Sequence, residues 1–288
     1  MATDYRSRGD IPPAPLPAAP NAARYTGKVA FVTGAARGQG RAEVLRFAAE
    51  GADIVAVDIC QDLPTTSYPG ATVAELEEVA HEVEALGRRV VASPVDVRDF
   101  GALAKVLDGA VSELGRLDVV VANAGMTSAA LTWEIDAEHW RDTIDINLTG
   151  AFHTVKAAVP ILLEQGTGGS IVFTSSVAGL RGLPYLADYS AAKHGVVGLA
   201  KVLANELAPY RIRVNTVHPW GVDTGLKVNE LHSLLQGQAE YSSMYGSTWP
   251  DQISESEDIA AAIAWLASDE ARHVTGIQLP IDRGRTNW

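Results

Sequence analysis

The stretch LADYSAAKHGVV, residues 186–197, places Tyr189 and Lys193 four positions apart. On a helix such positions share a face, so a phenol and an ammonium can converge on one small molecule. A free phenol, with a pKa near 10, is too weak a base at neutral pH. A cation one turn away would stabilise the phenolate and lower that pKa. Thirteen residues before Tyr189 stands Ser176, the second serine of TSS, at the end of an apolar run.

A second constellation lies near the start of the chain. TGAARGQGRAEV follows the apolar run KVAFV and carries Gly34, Gly38 and Gly40. Glycines there permit a tight turn and let backbone amides approach a pyrophosphate at a helix N-terminus, where the helix dipole favours anions. Eighteen residues after Gly40, at the end of the next apolar run, is Asp58. A carboxylate at that place accepts hydrogen bonds from adenosine ribose hydroxyls and repels a 2′-phosphate, which favours NAD. Arg37 pulls the other way, because a guanidinium in the glycine loop could pair with that phosphate and favour NADP.

These residues need a scaffold, and the pattern around them supplies one. The runs KVAFVTG, DIVAVDI, RVVASPVDV, LDVVVANAG, SIVFTSS, IRVNTVHP and GIQLPID are near-continuously apolar and of strand length. Parallel strands covered on both faces read this way. Between them are segments of helical period, one opened by a capping box at Thr72 and Glu75 and another by Ser254 and Glu257. Strands alternating with helices predict a single Rossmann-type doubly wound α/β domain, about seven parallel strands with helices on both faces. We assign it residues 26–288, preceded by a flexible Pro-rich arm over 1–25 with five prolines between positions 12 and 20. Two segments break the rhythm: an insertion at 59–71, ICQDLPTTSYPGA, directly after Asp58, and a long lid over about 222–253.

Composition narrows the function. A 288-residue chain with a net charge of −12 is a poor general nucleic-acid binder. A single cysteine, Cys60, forbids an internal disulfide and a cysteine-based zinc site, and the seven histidines are scattered, so no metal is expected. His218 stands out among them because it lies on the loop before Pro219. The apolar runs are shorter than a membrane span, which gives a cytoplasmic location as the expectation.

The ordered motifs resemble the short-chain dehydrogenase/reductase family from about Gly27 to Gly284. TGAARGQG looks like its cofactor loop, VDV with Asp96 its adenine contact, and NAG at Asn123, Ala124 and Gly125 the motif after its fourth strand. Asn147 in DINLTG and the Ser176–Tyr189 interval match its catalytic pattern. GAARGQGR, VDIC, the insertion, VNTVHP and VTGIQLPID are similar to a narrower branch, the mycofactocin-associated carveol dehydrogenase-like enzymes of actinobacteria. The resemblance implies an NAD-dependent oxidoreductase that interconverts a secondary alcohol and a ketone. It implies Asn147, Ser176, Tyr189 and Lys193 as catalytic residues. Ser176 would orient the substrate oxygen, and Lys193 would hold the nicotinamide ribose. Asn147 would hold a relay water, or else serve as a helix-kink residue bonding its own backbone. Cofactor contacts are expected from Gly34, Arg37, Gly38, Gln39, Gly40, Asp58, Ile59, Asp96, Val97, Asn123, Ala124, Gly125, Tyr189, Lys193, Pro219, Val222 and Thr224. The insertion would cover NAD and slow its release, with mycofactocin as an external electron acceptor. The family also implies a homotetramer.

One departure concerns the loop after the sixth strand, where the family has Pro-Gly and this chain has HPWGVDT, with Trp220 at the glycine position. The indole either shapes the substrate pocket or packs only against the lid. Leu231, Leu234, Leu235, Tyr241, Met244, Tyr245 and Trp249 are too apolar for a solvated loop. With Leu183, Pro184 and Trp220 they predict an apolar pocket, with Ser176, Leu183, Tyr189, Trp220, Leu231 and Tyr245 contacting substrate. An uncharged cyclic or terpenoid alcohol fits such a pocket. An NADPH ketoreductase is the alternative enzyme. A non-catalytic dinucleotide sensor should have lost part of the tetrad, which is complete here.

Overall fold

The computed structural model describes residues 23–225, 228–249 and 253–287. Residues 1–22 of the expected arm lie outside this range. Seven strands form one parallel sheet: β1 Val29–Thr33, β2 Asp53–Asp58, β3 Val90–Pro94, β4 Val119–Ala122, β5 Gly169–Thr174, β6 Ile212–Pro219 and β7 Gln278–Ile281. Their spatial order is β3-β2-β1-β4-β5-β6-β7. Every residue of β1, β2 and β4 is buried, the signature of strands packed on both faces.

Helices α1 Gly38–Ala49, α2 Val73–Ala85, α3 Phe100–Leu114, α4 Ala137–Ile144, α5 Gly150–Gln165 and α6 Ala187–Leu207 are joined in the lid by two short helices, α7 Asn229–Leu235 and α8 Ala239–Ser243, and then by α9 Ser256–Ala267. Helices α1, α2 and α9 cover one face through Phe47, Leu76, Val79, Ile259 and Ile263. Helices α3, α5 and α6 cover the other through Leu103, Leu107, Leu162, Val196 and Ala200. Each fully buried side chain of this size contributes roughly 1.5–3 kcal/mol relative to exposure, so the two layers fix the sheet between them.

The order in which strands are added reverses at the β1–β4 pair, because β2 and β3 extend to one side and β4 to β7 to the other. At such a switch point the loops leaving the strand C-termini diverge and open a crevice for ligand. The expected glycine loop, the NAG loop and the Ser176 turn all leave from there.

Three details differ from the sequence reading. Tyr25 is fully buried, its ring edge-on to Phe47 at 4.9 Å and its backbone N–H donating to the Glu50 carbonyl at 2.8 Å. The packed chain therefore starts before residue 26. The Thr72–Glu75 capping box is present, but the second box is reciprocal between Glu255 and Asp258 rather than Ser254 and Glu257. Ser254 instead bridges to the loop after β6, donating its N–H to the Gly221 carbonyl at 2.7 Å. The third is a continuous helical stretch, Ala137–Gln165, that is long and apolar enough by composition to cross a membrane. Half of its apolar window is buried, and α5 packs against α3 in the core, so here it serves as a core helix.

Candidate active site

Close approach explains the glycine loop. A Cβ on Gly40 would sit 1.9 Å from the Gly34 carbonyl oxygen, so no side chain fits where α1 begins. Gly34 takes φ 68°, in the left-handed region that glycine enters without strain. Asn123, after β4, binds the loop from the neighbouring strand. Its Nδ2 donates to the Thr33 carbonyl at 3.0 Å, and its backbone N–H donates to Thr33 Oγ1 at 3.1 Å.

At the end of β2, the buried Asp58 carboxylate accepts from the Ala36 N–H at 3.0 Å and the Cys60 N–H at 3.2 Å. Those two bonds aim it along the rim of the glycine loop. The neighbouring Arg37 guanidinium is already engaged, donating from Nη2 to the Pro69 carbonyl at 2.7 Å. Asp96 faces the same cavity, with its carboxylate paired to Arg98 at 2.7 Å.

The 59–71 segment is stapled across this end. The Tyr68 hydroxyl donates to the Thr127 carbonyl at 3.1 Å and accepts from the Thr127 N–H at 3.0 Å. Thr65 Oγ1 donates to Asp142 at 2.8 Å. Arg37 holds Pro69, as described, and Ser67 Oγ donates to Glu230 of α7 at 2.9 Å.

The reacting end is built from β5, α6 and the helix break before α5. Ser176 caps a short 3₁₀ turn, Val177–Gly179, its Oγ accepting from the Ala178 N–H at 3.1 Å. That bond occupies a lone pair and leaves the hydroxyl proton available to the Tyr189 phenol, whose pKa the Ser176 hydroxyl lowers. Ser175 Oγ donates to the Lys193 carbonyl at 3.1 Å and docks α6 onto β5. Lys193 Nζ donates to the Thr174 carbonyl at 2.8 Å and lies 5.5 Å from the Tyr189 ring centroid.

The electrostatics correct one expectation. Burial raises the Tyr189 pKa, the Ser176 hydrogen bond draws it back, and Lys193 is not among the causes. Burial also pushes the Lys193 ammonium down to about 8. A low-dielectric site penalises both charged forms.

Asn147 lies in a five-residue π-helical turn, Asp145–Thr149, between α4 and α5. Its Nδ2 donates to the Thr143 and Met126 carbonyls, both at 2.9 Å, and its Oδ1 accepts from the Met126 N–H at 3.3 Å. It thus bonds its own helix, as one sequence reading held, and it also faces the cavity. Such π turns occur frequently at functional sites. Gly125 is confined between this side chain and Lys193: its Cβ would sit 2.8 Å from Asn147 Oδ1 and 3.4 Å from Nζ.

These elements meet around one cavity of about 380 Å³. It collects each expected catalytic and cofactor residue, and Leu183, Trp220 and Leu231 of the expected substrate set. Tyr245 is not in the wall; it packs behind Trp220, ring centroids 5.7 Å apart, and its hydroxyl donates to the Pro184 carbonyl. Tyr241, Met244 and Trp249 are exposed, so the lid turns only part of its apolar surface inward. Leu186, Val228 and Leu63 also border the cavity. They were missed because isolated aliphatic residues carry no local signal of facing a ligand.

The sequence marks out His218 without assigning it a role. It is fully buried, its Nδ1 2.7 Å from the Ser176 carbonyl and its Nε2 2.8 Å from Thr216 Oγ1. Facing a carbonyl, Nδ1 must carry the proton, so Thr216 donates to Nε2. Burial pushes the imidazole down to about 4, which keeps it neutral. It fixes the backbone of the residue that presents its hydroxyl to Tyr189.

Residues 28–234 match the family model described as short chain dehydrogenase. The chain is 47% identical over 274 residues to the (−)-trans-carveol dehydrogenase of Rhodococcus erythropolis, covering 92% of this chain and 99% of that one. Among solved structures, a short chain dehydrogenase from Mycobacterium paratuberculosis bound to NAD superimposes with a TM-score of 0.90 at 46% identity. Carveol dehydrogenase from Mycobacterium avium in complex with NAD gives 0.88, also at 46%. Each of these alignments covers 92% of this chain and 100% of the other. With the parallel sheet, the glycine loop at its switch point and the serine, tyrosine and lysine on one cavity, this chain belongs to the short-chain dehydrogenase family.

Proposed function

We propose that this chain oxidises an uncharged, apolar cyclic or terpenoid secondary alcohol to its ketone, and catalyses the reverse, with NAD as cofactor. The observation that carries the reading is that Ser176, the half-buried Tyr189 and Lys193 line one cavity whose other wall is Leu183, Leu186, Trp220, Val228 and Leu231. Bound NAD supplies the nicotinamide that accepts the carbinol hydride.

The protein handles the proton. Ser176 orients the alcohol oxygen, and the Tyr189 phenolate takes its proton. The Ser176 hydroxyl stabilises that phenolate, Lys193 holds the nicotinamide ribose, and Asn147 holds a relay water that links Lys193 to solvent. Gly34, Gly38 and Gly40 admit the pyrophosphate, and Asp58 takes the ribose hydroxyls. The Asp58 carboxylate at the ribose position and the NAD-bound relatives weigh against the NADP alternative.

The 59–71 insertion, held by Tyr68, Thr65 and Arg37, supports slow NAD release and reoxidation in place by an external acceptor such as mycofactocin. The relatives named carveol dehydrogenase support the substrate class. We further propose a cytoplasmic homotetramer, which size-exclusion chromatography with light scattering tests.

Native mass spectrometry of the purified protein, then denaturation and identification of the released molecule, tests the cofactor claim. NAD near one per chain supports retention; loss on dialysis removes it. Turnover of carveol with NAD and an artificial electron acceptor, but not with NADP in place of NAD, supports the alcohol dehydrogenase reading. Oxidation that proceeds only with NADP, or of no apolar alcohol, overturns it.

A further inference from the structure

Trp220 replaces the glycine that the family resemblance leads one to expect, and it borders the cavity beside Leu183 and Leu231. An indole on a loop needs support to act as a wall. One side is taken by Tyr245. The Arg285 guanidinium lies over the ring, 5.6 Å from its centroid. The loop backbone is held by the same C-terminal segment: the Trp220 N–H donates to the Ile281 carbonyl at 3.2 Å, and Arg283 Nη2 donates to the Trp220 carbonyl at 3.2 Å.

Arg285 is an unusual residue to bury. It is 3% exposed, and its Nε has no hydrogen-bond partner among the described residues. Burial lowers its pKa, and Arg181 lies near enough to lower it further. The nearby Asp282 carboxylate is occupied by the Gly284 and Thr286 N–H groups and the Thr286 hydroxyl. A buried cation with an orphan donor is costly, and an aromatic face is among the few partners that favour it there. The Arg285 backbone is pinned, its N–H donating to the Asp282 carbonyl and its carbonyl accepting from Arg181 Nη1, both at 3.0 Å.

The geometry points to Arg285 as a positioning residue that sets substrate selection by locking the Trp220 indole as the cavity wall. This rests on the alcohol dehydrogenase reading. The C-terminal segment after β7 thereby decides the shape of a pocket that it does not line. Without the guanidinium, the indole can tilt toward the space Arg285 leaves, and ring substituents on the substrate are no longer measured against a fixed surface.

Arg285→Leu, Arg285→Lys, Trp220→Phe and the Arg285→Leu/Trp220→Phe double variant test this with cyclohexanol and carveol as probes. Arg285→Leu should change the carveol-to-cyclohexanol ratio of kcat/KM about fivefold, through KM, with kcat on cyclohexanol within about twofold. Arg285→Lys should restore part of the ratio. In the Trp220→Phe background, Arg285→Leu should add nothing further. Acrylamide quenching reads the same device without turnover: the Trp220 signal, obtained by difference from Trp220→Phe, should become about twice as quenchable in Arg285→Leu. An unchanged ratio with unchanged quenching overturns the inference, as does an effect of Arg285→Leu that persists in the Trp220→Phe background. If the wild-type protein oxidises neither alcohol with NAD and an artificial electron acceptor supplied, the functional reading fails, and the quenching difference alone decides the Trp220 lock.

Discussion

Replacing Lys193 by Met should stabilise the cofactor-free protein while abolishing turnover. Burial moves the ammonium from its ordinary 10.5 to about 8. At pH 7 the side chain therefore stays protonated against a penalty of roughly 3 kcal/mol, at 1.36 kcal/mol per unit. Methionine of similar length removes that penalty but leaves the Thr174 carbonyl without the 2.8 Å donor, which costs about 1–2 kcal/mol. The net gain is about 1–2 kcal/mol, a rise in Tm of roughly 3 °C or more.

The pH dependence separates this cause from mere packing. A lysine whose folded pKa lies below its unfolded value carries its full penalty below the folded pKa. The penalty disappears as pH rises from about 8 towards 10.5, where the unfolded chain binds the extra proton. The stability gap between Lys193→Met and wild type should thus be widest below pH 8 and narrow above it. Equilibrium urea unfolding of both proteins, freed of cofactor so that ligand does not add to stability, at pH 7, 9 and 10 measures it. A variant less stable than wild type at pH 7, or a gap that does not change with pH, would refute the argument.

The other predictions concern individual contacts. Gly40→Ala forces its Cβ to within 1.9 Å of the Gly34 carbonyl, so the loop must move. Calorimetry should show NAD affinity weakened roughly tenfold to a hundredfold, as the about 1–3 kcal/mol of an overpacked contact implies. Tyr189→Phe removes the proton carrier and should lower kcat by roughly 10²–10⁴, with NAD affinity within about threefold in the same titration. His218→Ala removes the donor to the Ser176 carbonyl and should lower kcat about fivefold to tenfold with KM little changed. His218→Asn, which can still donate from Nδ2, should recover most of that loss in steady-state assays, whereas His218→Gln should not.

Much of the fold was legible because its signals are local. Seven apolar runs alternating with helical periods dictate a doubly wound sheet, since strands such as Val29–Thr33 and Asp53–Asp58 tolerate no polar face when helices cover both sides. The glycine loop was legible because the clash at Gly40 leaves no alternative residue. Ser176, Tyr189 and Lys193 were legible because chain spacing alone puts two of them on one helical face and the third at a strand end.

The remaining features depend on which long-range neighbours close around a side chain. The sequence left Arg37 able to take a phosphate, and only the fold of residues 59–71 brings Pro69 to its guanidinium. The phenol of Tyr189 was expected to be lowered by Lys193, yet desolvation, a property of the whole surrounding shell, raises it. Tyr245 backs the pocket instead of lining it, and Tyr241 turns outward, because the lid helices are placed by Tyr185, Pro184 and Trp220 from distant segments. His218 and Arg285 acquire their roles from partners 42 residues away at Ser176 and across the sheet edge at Trp220. Periodicity, glycine sterics and i,i+4 spacing are written into consecutive residues. Burial, side-chain direction and proton affinity are set only when the tertiary fold excludes water.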